Sequence, residues 1–177
     1  MQIIKKIFTV VLSLIAFLLI AAIFIKKNYV VEKTITINKP ALQIFNYVKY
    51  LKNQNEYSKW ALMDTAMKKT FTGTDATVGF TSAWQSNNKN VGQGEQEIKK
   101  IEDGKKIDYE IRFKKPFESL MNSFLSTDSI STNLTMVKWN IHGVNPYPIN
   151  LMNLFMNKMV GGDIEIGLAN LKNKMEN

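Results

Sequence analysis

The sequence predicts an α+β domain in which a curved antiparallel sheet is crossed by one long C-terminal helix, with a separate transmembrane helix at the N-terminus. Three patterns carry that expectation. Ile7 to Ile25 is apolar without interruption, Met67 to His142 breaks into short alternating runs between turn residues, and Asn150 to Met175 repeats apolar residues three and four apart. A single helix lying over one face of a bent sheet buries both apolar surfaces at once.

The first element is the apolar run IFTVVLSLIAFLLIAAIFI, nineteen residues with only Thr9 and Ser13 polar. At about 1.5 Å rise per residue, such a helix nearly spans a hydrocarbon core. It exceeds the apolar core of an ordinary signal peptide and runs straight into Lys26-Lys27-Asn28-Tyr29 with no small-x-small cleavage site, so an uncleaved anchor is favoured over a leader. Being apolar all round, it does not read as an amphipathic core helix. The division expected is therefore an anchor over residues 1–27 and a ligand-cavity domain over 28–177. Lysine pairs flank both ends of the run (Lys5-Lys6 and Lys26-Lys27), which makes charge a poor guide to orientation. A cytoplasmic N-terminus puts the domain outside the cytoplasm, on the periplasmic side in a bacterium.

Val30 to Ile37 alternates with Val31, Ile35 and Ile37 on one face and Glu32, Thr34 and Thr36 on the other, which predicts a half-buried strand. Pro40 opens a short helix over Ala41–Val48, and Leu51–Trp60 reads as a second. Lys68–Thr72 is a strand ended by Gly73. A further strand is expected where Val78, Phe80 and Trp84 alternate with Gly79, Thr81 and Ala83, and another over Val91–Ile101 after the turn Asn87-Asn88-Lys89-Asn90. Asp103-Gly104 is a hairpin signal. The strand after it is the cleanest in the chain, with Ile107, Tyr109, Ile111 and Phe113 on one face and Asp108, Glu110, Arg112 and Lys114 on the other. Pro116 closes it, and Phe117–Thr127 and Ser131–His142 finish the meander. In the last helix Leu151, Leu154, Phe155, Met159, Ile164, Leu168 and Leu171 form the expected apolar stripe. Gly161-Gly162 inside it predicts a loosening or a close backbone approach.

Composition narrows the chemistry. With 45% hydrophobic and 21% charged residues the chain is globular rather than disordered. The absence of cysteine excludes disulfides, thiolate metal ligands and a cysteine nucleophile. Of the net charge of +8, half comes from the four lysines around the apolar run, and the remaining lysines are scattered among acidic residues without an arginine cluster. Nucleic acid is therefore not an expected partner, and anionic lipid headgroups are the more natural one. Gly92-Gln93-Gly94 is no dinucleotide fingerprint because no helix follows it. His142 is the only histidine, which leaves neither a nucleophilic triad nor a two-histidine metal site, and the carboxylate pairs Glu95/Glu97 and Asp108/Glu110 read as solvated strand faces. No catalytic residue, metal or cofactor is assigned.

Several strings in this order carry a resemblance: Thr34-Ile35-Thr36-Ile37-Asn38 followed by Pro40 and Phe45; Tyr57-Ser58-Lys59-Trp60; Val91-Gly92-Gln93-Gly94; and the run from Met159 to Lys172, MVGGDIEIGLANLK. From Val30 to Asn177 the chain resembles the helix-grip superfamily (SRPBCC), which includes START lipid-transfer domains, the birch-pollen-allergen fold and the bacterial polyketide cyclase/dehydrase and lipid transport proteins. Lys59 departs from the proline that relatives often place there. The resemblance implies a cavity between sheet and long helix that holds a lipid or another hydrophobic small molecule. Members also include cyclases, hydratases and regulators, so fold alone does not fix function.

On that reading the expected cavity lining is Phe71, Phe80, Trp84, Tyr109, Ile111, Phe113 and Trp139 from the sheet, facing Phe155, Met159 and Leu168 from the helix. The expected partners are a hydrophobic ligand and a membrane through residues 7–25. Binding is favoured over catalysis. A cyclase-type or hydratase-type enzyme would need Tyr109 or Arg112 to polarise a carbonyl inside the cavity, and a regulatory domain would bind a protein through an exposed apolar patch.

Overall fold

The computed structural model describes residues 2–177. Helix α1 (Gln2–Phe24) is followed by β1 (Asn28–Ile37), α2 (Ala41–Val48), a 3-10 turn (Leu51–Glu56) and α3 (Lys59–Met63). The meander then runs through β2 (Lys68–Thr72), β3 (Thr81–Gln85), β4 (Gln93–Glu102), β5 (Lys106–Lys115), β6 (Ser119–Ser131) and β7 (Leu134–Val144). A second 3-10 turn (Ile149–Met152) leads into α4 (Asn153–Glu176). The seven strands form one antiparallel sheet in the order β1-β7-β6-β5-β4-β3-β2, so each meander strand lies beside its sequence neighbour and β1 returns to pair with β7.

The alternation read along the sequence holds. Pairing places Val31, Ile141, Ser123 and Tyr109 in one inward row across β1, β7, β6 and β5, and all four are buried. Arg112, Glu95 and Glu97 lie on the outer face. α4 crosses the inner face beside β1 and in its direction. Lys33 Nζ is 2.6 Å from Glu165, Lys172 Nζ donates to the Thr36 carbonyl (2.9 Å), and Glu176 accepts from the Asn38 amide (2.7 Å). The core is filled by Ile37, Ile44, Phe45, Ile98, Ile107, Leu125, Val137, Ile164, Leu168 and Leu171, all buried.

Three local expectations need correction, and a fourth resolves between its alternatives. Leu51–Trp60 is not one helix but a 3-10 turn and the start of α3, divided at Tyr57-Ser58. β3 begins only at Thr81, leaving Val78 exposed, because the chain turns through the positive φ of Gly79 just before the strand. Of the two outcomes expected at Gly161-Gly162, a loosening or a close approach, α4 shows the second, running unbroken through the pair. Gly161 allows Lys33 to pass close to the helix backbone, since a Cβ there would lie 2.7 Å from Cε of Lys33.

The third correction concerns the helix stripe, which is offset. Met156, Val160, Ile164, Leu168, Leu171 and Met175 pack inward, whereas Phe155 and Met159 are 57% and 55% exposed and Leu154 is also out. Counting back from Ile164 by four reaches Val160 and Met156; Phe155 and Met159 are one residue away, about 100° around a 3.6-residue helix.

Candidate functional site

A cavity of about 260 Å³ lies between the inner face of β2–β7 and a wall made by the first 3-10 turn, α3 and Val160 of α4. Its sheet side is Lys69, Ser82, Trp84, Gln96, Ile111, Phe113, Met121, Trp139 and Ile141; the wall adds Leu51, Gln54, Asn55, Ser58, Trp60 and Ala61, and loop residues Met67, Asn90 and Val91 complete it. Sequence builds the wall locally. Asp75 accepts hydrogen bonds from the amides of Leu51 (2.8 Å) and Lys52 (3.1 Å), capping the 3-10 turn from a distant loop. Asn170 Nδ2 donates to the Tyr57 carbonyl (3.1 Å), and Lys59 pairs with Asp163, so both sides of the Tyr57-Ser58-Lys59-Trp60 string are tied to α4.

The aromatic rings are seated by small residues. A Cβ on Gly94 would meet the Trp84 ring at 2.7 Å, and one on Gly167 would meet the Trp139 ring at 3.0 Å. Trp84 stands edge-on to Phe113 with centroids 5.5 Å apart, and Trp60 edge-on to Trp139 at 6.2 Å. Both sheet indoles spend their N–H on the protein, Trp84 on the Val91 carbonyl (3.3 Å) and Trp139 on Ser123 Oγ (3.2 Å). What they present to the cavity is apolar ring.

Among the described residues, three polar side chains on adjacent strands line the cavity without a protein hydrogen bond or ion pair: Lys69 on β2, Ser82 on β3 and Gln96 on β4. Ser82 and Gln96 are direct cross-strand partners, and Gln96 is buried. The Gln96 amide opens onto the cavity rather than into packed core, so a ligand there can hydrogen-bond to it.

Of the ten lining residues expected from sequence, the structure brings Trp84, Ile111, Phe113 and Trp139 to the cavity. Phe80, Tyr109 and Leu168 are instead packed in the core, Phe71 stacks on Phe80 from an edge strand, and Phe155 and Met159 face outward. Tyr109 and Ile111 share a strand face, yet only the second reaches the cavity, because the first lies further along β5 under the covered part of the sheet. Burial pushes the Tyr109 phenol above its ordinary value, so it stays neutral. Arg112 lies on the outer face, bonded to Glu95 (2.8 Å), Glu97 (2.8 Å) and Glu110. His142 is also outward, with Nδ1 2.9 Å from Asn140 Oδ1. Neither group proposed for an enzyme lines the cavity, and among the described residues no three His, Asp or Glu side chains gather as a metal site.

Sequence reasoning missed Gln96, Met121, Trp60 and Val160. Gln96 was legible in principle, since Glu95 and Glu97 on the outer face force it inward. Trp60 lies in a loop-like string whose side-chain directions carry no period.

α1 is long and apolar enough to cross a membrane, and its residues 2–20 are exposed along their whole length. Only its last turn touches the domain, where Ala22 is buried.

Comparison with known proteins agrees with this architecture. No curated protein matches the sequence. Among solved structures, a protein from Thermobifida fusca is 12% identical with a TM-score of 0.61, covering 82% of this chain and 91% of that one. Norcoclaurine synthase from Thalictrum flavum, in complex with dopamine and hydroxybenzaldehyde, is 8% identical with a TM-score of 0.63, covering 84% and 86%. The Aha1 dimer from Colwellia psychrerythraea is 15% identical with a TM-score of 0.56, covering 83% and 96%. At these identities the likeness is one of fold, the birch-pollen-allergen type of helix grip. Residues 29–176 match the family described as polyketide cyclase / dehydrase and lipid transport, and the chain belongs to that family.

Proposed function

We propose that this chain is a membrane-anchored binding domain that holds one slender hydrophobic or amphipathic molecule between its sheet and its helical wall. The observation that supports it best is the chemistry of the cavity. Tryptophan and phenylalanine rings with satisfied indoles form its walls, and on the sheet side the unpartnered polar groups gather at Lys69, Ser82 and Gln96. Apolar burial supplies the driving force, and the polar groups fix which end of the ligand goes where. Trp84, Ile111, Phe113 and Trp139 contact the apolar part; Gln96, Ser82 and Lys69 receive a polar or anionic head. At about 260 Å³ the cavity is just under the roughly 300–1,000 Å³ usual for small-molecule sites, which suits a single chain or ring system rather than a whole two-chain lipid. Binding rather than catalysis is the reading, since the two side chains expected to polarise a carbonyl lie outside the cavity.

Native mass spectrometry of the full chain, purified from its own membranes in detergent, tests this directly. A co-purifying hydrophobic molecule at one per chain, displaced by a fluorescent fatty-acyl probe, is the expected result. A ligand-free mass together with no saturable binding of such probes overturns the proposal.

A further inference from the structure

We infer that the end of the domain from which α1 departs is a lipid-contacting face, which lays the loops around the cavity against an anionic bilayer surface. This rests on α1 spanning the membrane, and adds a second, peripheral contact made by the domain itself.

The first observation is a fixed joint. The last carbonyls of a helix have no partner within it. Here Asn150 Nδ2 donates to the carbonyls of Ala22 (2.6 Å) and Ile25 (2.7 Å), and Asn153 Nδ2 to those of Lys26 (2.7 Å) and Lys27 (3.0 Å). The Asn145 amide adds a bond to the Lys27 carbonyl (2.9 Å). The segment between β7 and α4 therefore grips the end of the anchor, and the domain does not hang on a free linker.

The second observation is what else lies at that end. Strand register places the start of β1 (Asn28) beside the end of β7 (Val144), and pairs Gly143 of β7 with Met121 near the start of β6. Phe113 near the end of β5 faces Ser119, and Lys115 faces Gln93. One edge of the domain thus holds the anchor joint, the β5–β6 hairpin tip and the start of α4. It carries large apolar side chains turned to solvent: Phe117 (81% exposed) and Leu120 on the hairpin, Tyr147 and Ile149 before α4, and Leu154 (65%) and Phe155 in its first turn. They come from three elements and stand beside Lys26, Lys27, Lys115 and Lys158, all exposed and without a carboxylate partner among the described residues. In the hairpin tip only Glu118 is acidic. Apolar and aromatic tips interleaved with lysine, continuous with a membrane-spanning helix, suit the headgroup boundary of an anionic bilayer.

The third observation gives the face its use. Met67, Asn90 and Val91, which line the cavity, sit in the α3–β2 and β3–β4 loops at this same end. With the face docked, a molecule passes between bilayer and cavity without crossing bulk water.

The chain has no cysteine, so single introduced cysteines take a spin label cleanly. The full chain is reconstituted in vesicles of phosphatidylcholine with phosphatidylglycerol, and labels at Phe117→Cys, Phe155→Cys, Thr132→Cys and Leu14→Cys are compared by their accessibility to oxygen and to a water-soluble nickel chelate. Positions 117 and 155 are exposed, so these changes leave the core intact, and Thr132 lies in the β6–β7 turn at the opposite end. Oxygen-rich, nickel-poor signals at 117 and 155, with a nickel-accessible label at 132, are expected, and Lys115→Gln with Lys158→Gln should reduce them. If 117 and 155 match 132 while 14 lies deep in the bilayer, the docking face is wrong and the anchor stands. If 14 is itself aqueous, the anchor reading fails. Loss of both oxygen and nickel access at 117 points to a protein contact and also overturns the inference.

Discussion

The two ends of the same sheet are built differently. Along β5, Ile107 and Tyr109 are buried in the core, whereas Ile111 and Phe113, on the same face and only a few residues on, line an open cavity. Along α4 the contrast repeats: Ile164, Leu168 and Leu171 are fully buried, and Leu154 and Phe155 are mostly exposed. The far end is covered by α2 and by the second half of α4, with Thr135 Oγ1 bonded to the Lys39 carbonyl (2.7 Å) to hold the start of α2 in place. At the end from which α1 departs the cover is a 3-10 turn and a five-residue helix, which leave a gap. Packing is thus concentrated at one end and the candidate binding space at the other.

Truncation should separate them most strongly. Leu168→Ala removes a fully buried side chain from the closed end and should lower unfolding free energy by about 2–5 kcal/mol. Phe113→Ala enlarges a space that already exists and should cost clearly less, while weakening binding of a fatty-acyl probe. Denaturant titration of both variants decides the point; equal losses would mean the cavity walls are as tightly packed as the core.

Filling gives the converse. Val137→Phe overpacks the closed end, where Val137 is fully buried, and should cost roughly 1–3 kcal/mol. Val160→Phe points into the cavity, so the added ring has room; stability should stay within about 1 kcal/mol of the parent while probe binding is lost. A parallel pair of melting curves and binding isotherms reads both. If Val160→Phe destabilises as much as Val137→Phe, the gap is not open in solution. Gly94→Ala tests the seat of Trp84, because its Cβ would press on both that ring and the Arg112 carbonyl (2.6 Å); a loss of about 1–3 kcal/mol with altered probe affinity is expected.

The contrast between ends also explains what was legible in the sequence. Period-two alternation recorded which side chains face inward, so the strands of the meander and the inward set Ile107, Tyr109, Ile111 and Phe113 were readable. It does not record how far along a strand the cover extends. Whether an inward residue meets packed core or a cavity depends on where the 3-10 turn and α3 sit, and short helices of this kind carry little periodic signal. Hence Tyr109, Phe80 and Leu168 were expected in the cavity and lie in the core. In α4, large apolar residues at Leu154, Phe155 and Met159 pulled the expected stripe off by one position. Those turns lie at the end where Asn150 and Asn153 bond the chain leaving α1, away from the packed core.

The smallest effect expected comes from the outer face behind the cavity, where β4 and β5 carry a lattice of ion pairs. Glu95 is held below the usual carboxylate range by hydrogen bonds from Lys114 and then Arg112, and Glu97 by those from Lys99 and then Arg112. Lys114 Nζ is 2.8 Å from Glu95, and Lys99 Nζ 3.0 Å from Glu97. Because folding lowers both values, their contribution is complete above the ordinary glutamate value of 4.5 and fades as pH falls through the lower folded values. Each pair is largely at the surface, so roughly 0–1 kcal/mol apiece is the expected scale at neutral pH. The double variant Glu95→Gln, Glu97→Gln should lose that amount at pH 7 and show a flatter decline in denaturation midpoint between pH 4.5 and 3 than the parent. An unchanged slope would mean that the pairs do not brace the two strands, and that the cavity end holds its shape through the aromatic seats at Gly94 and Gly167 alone.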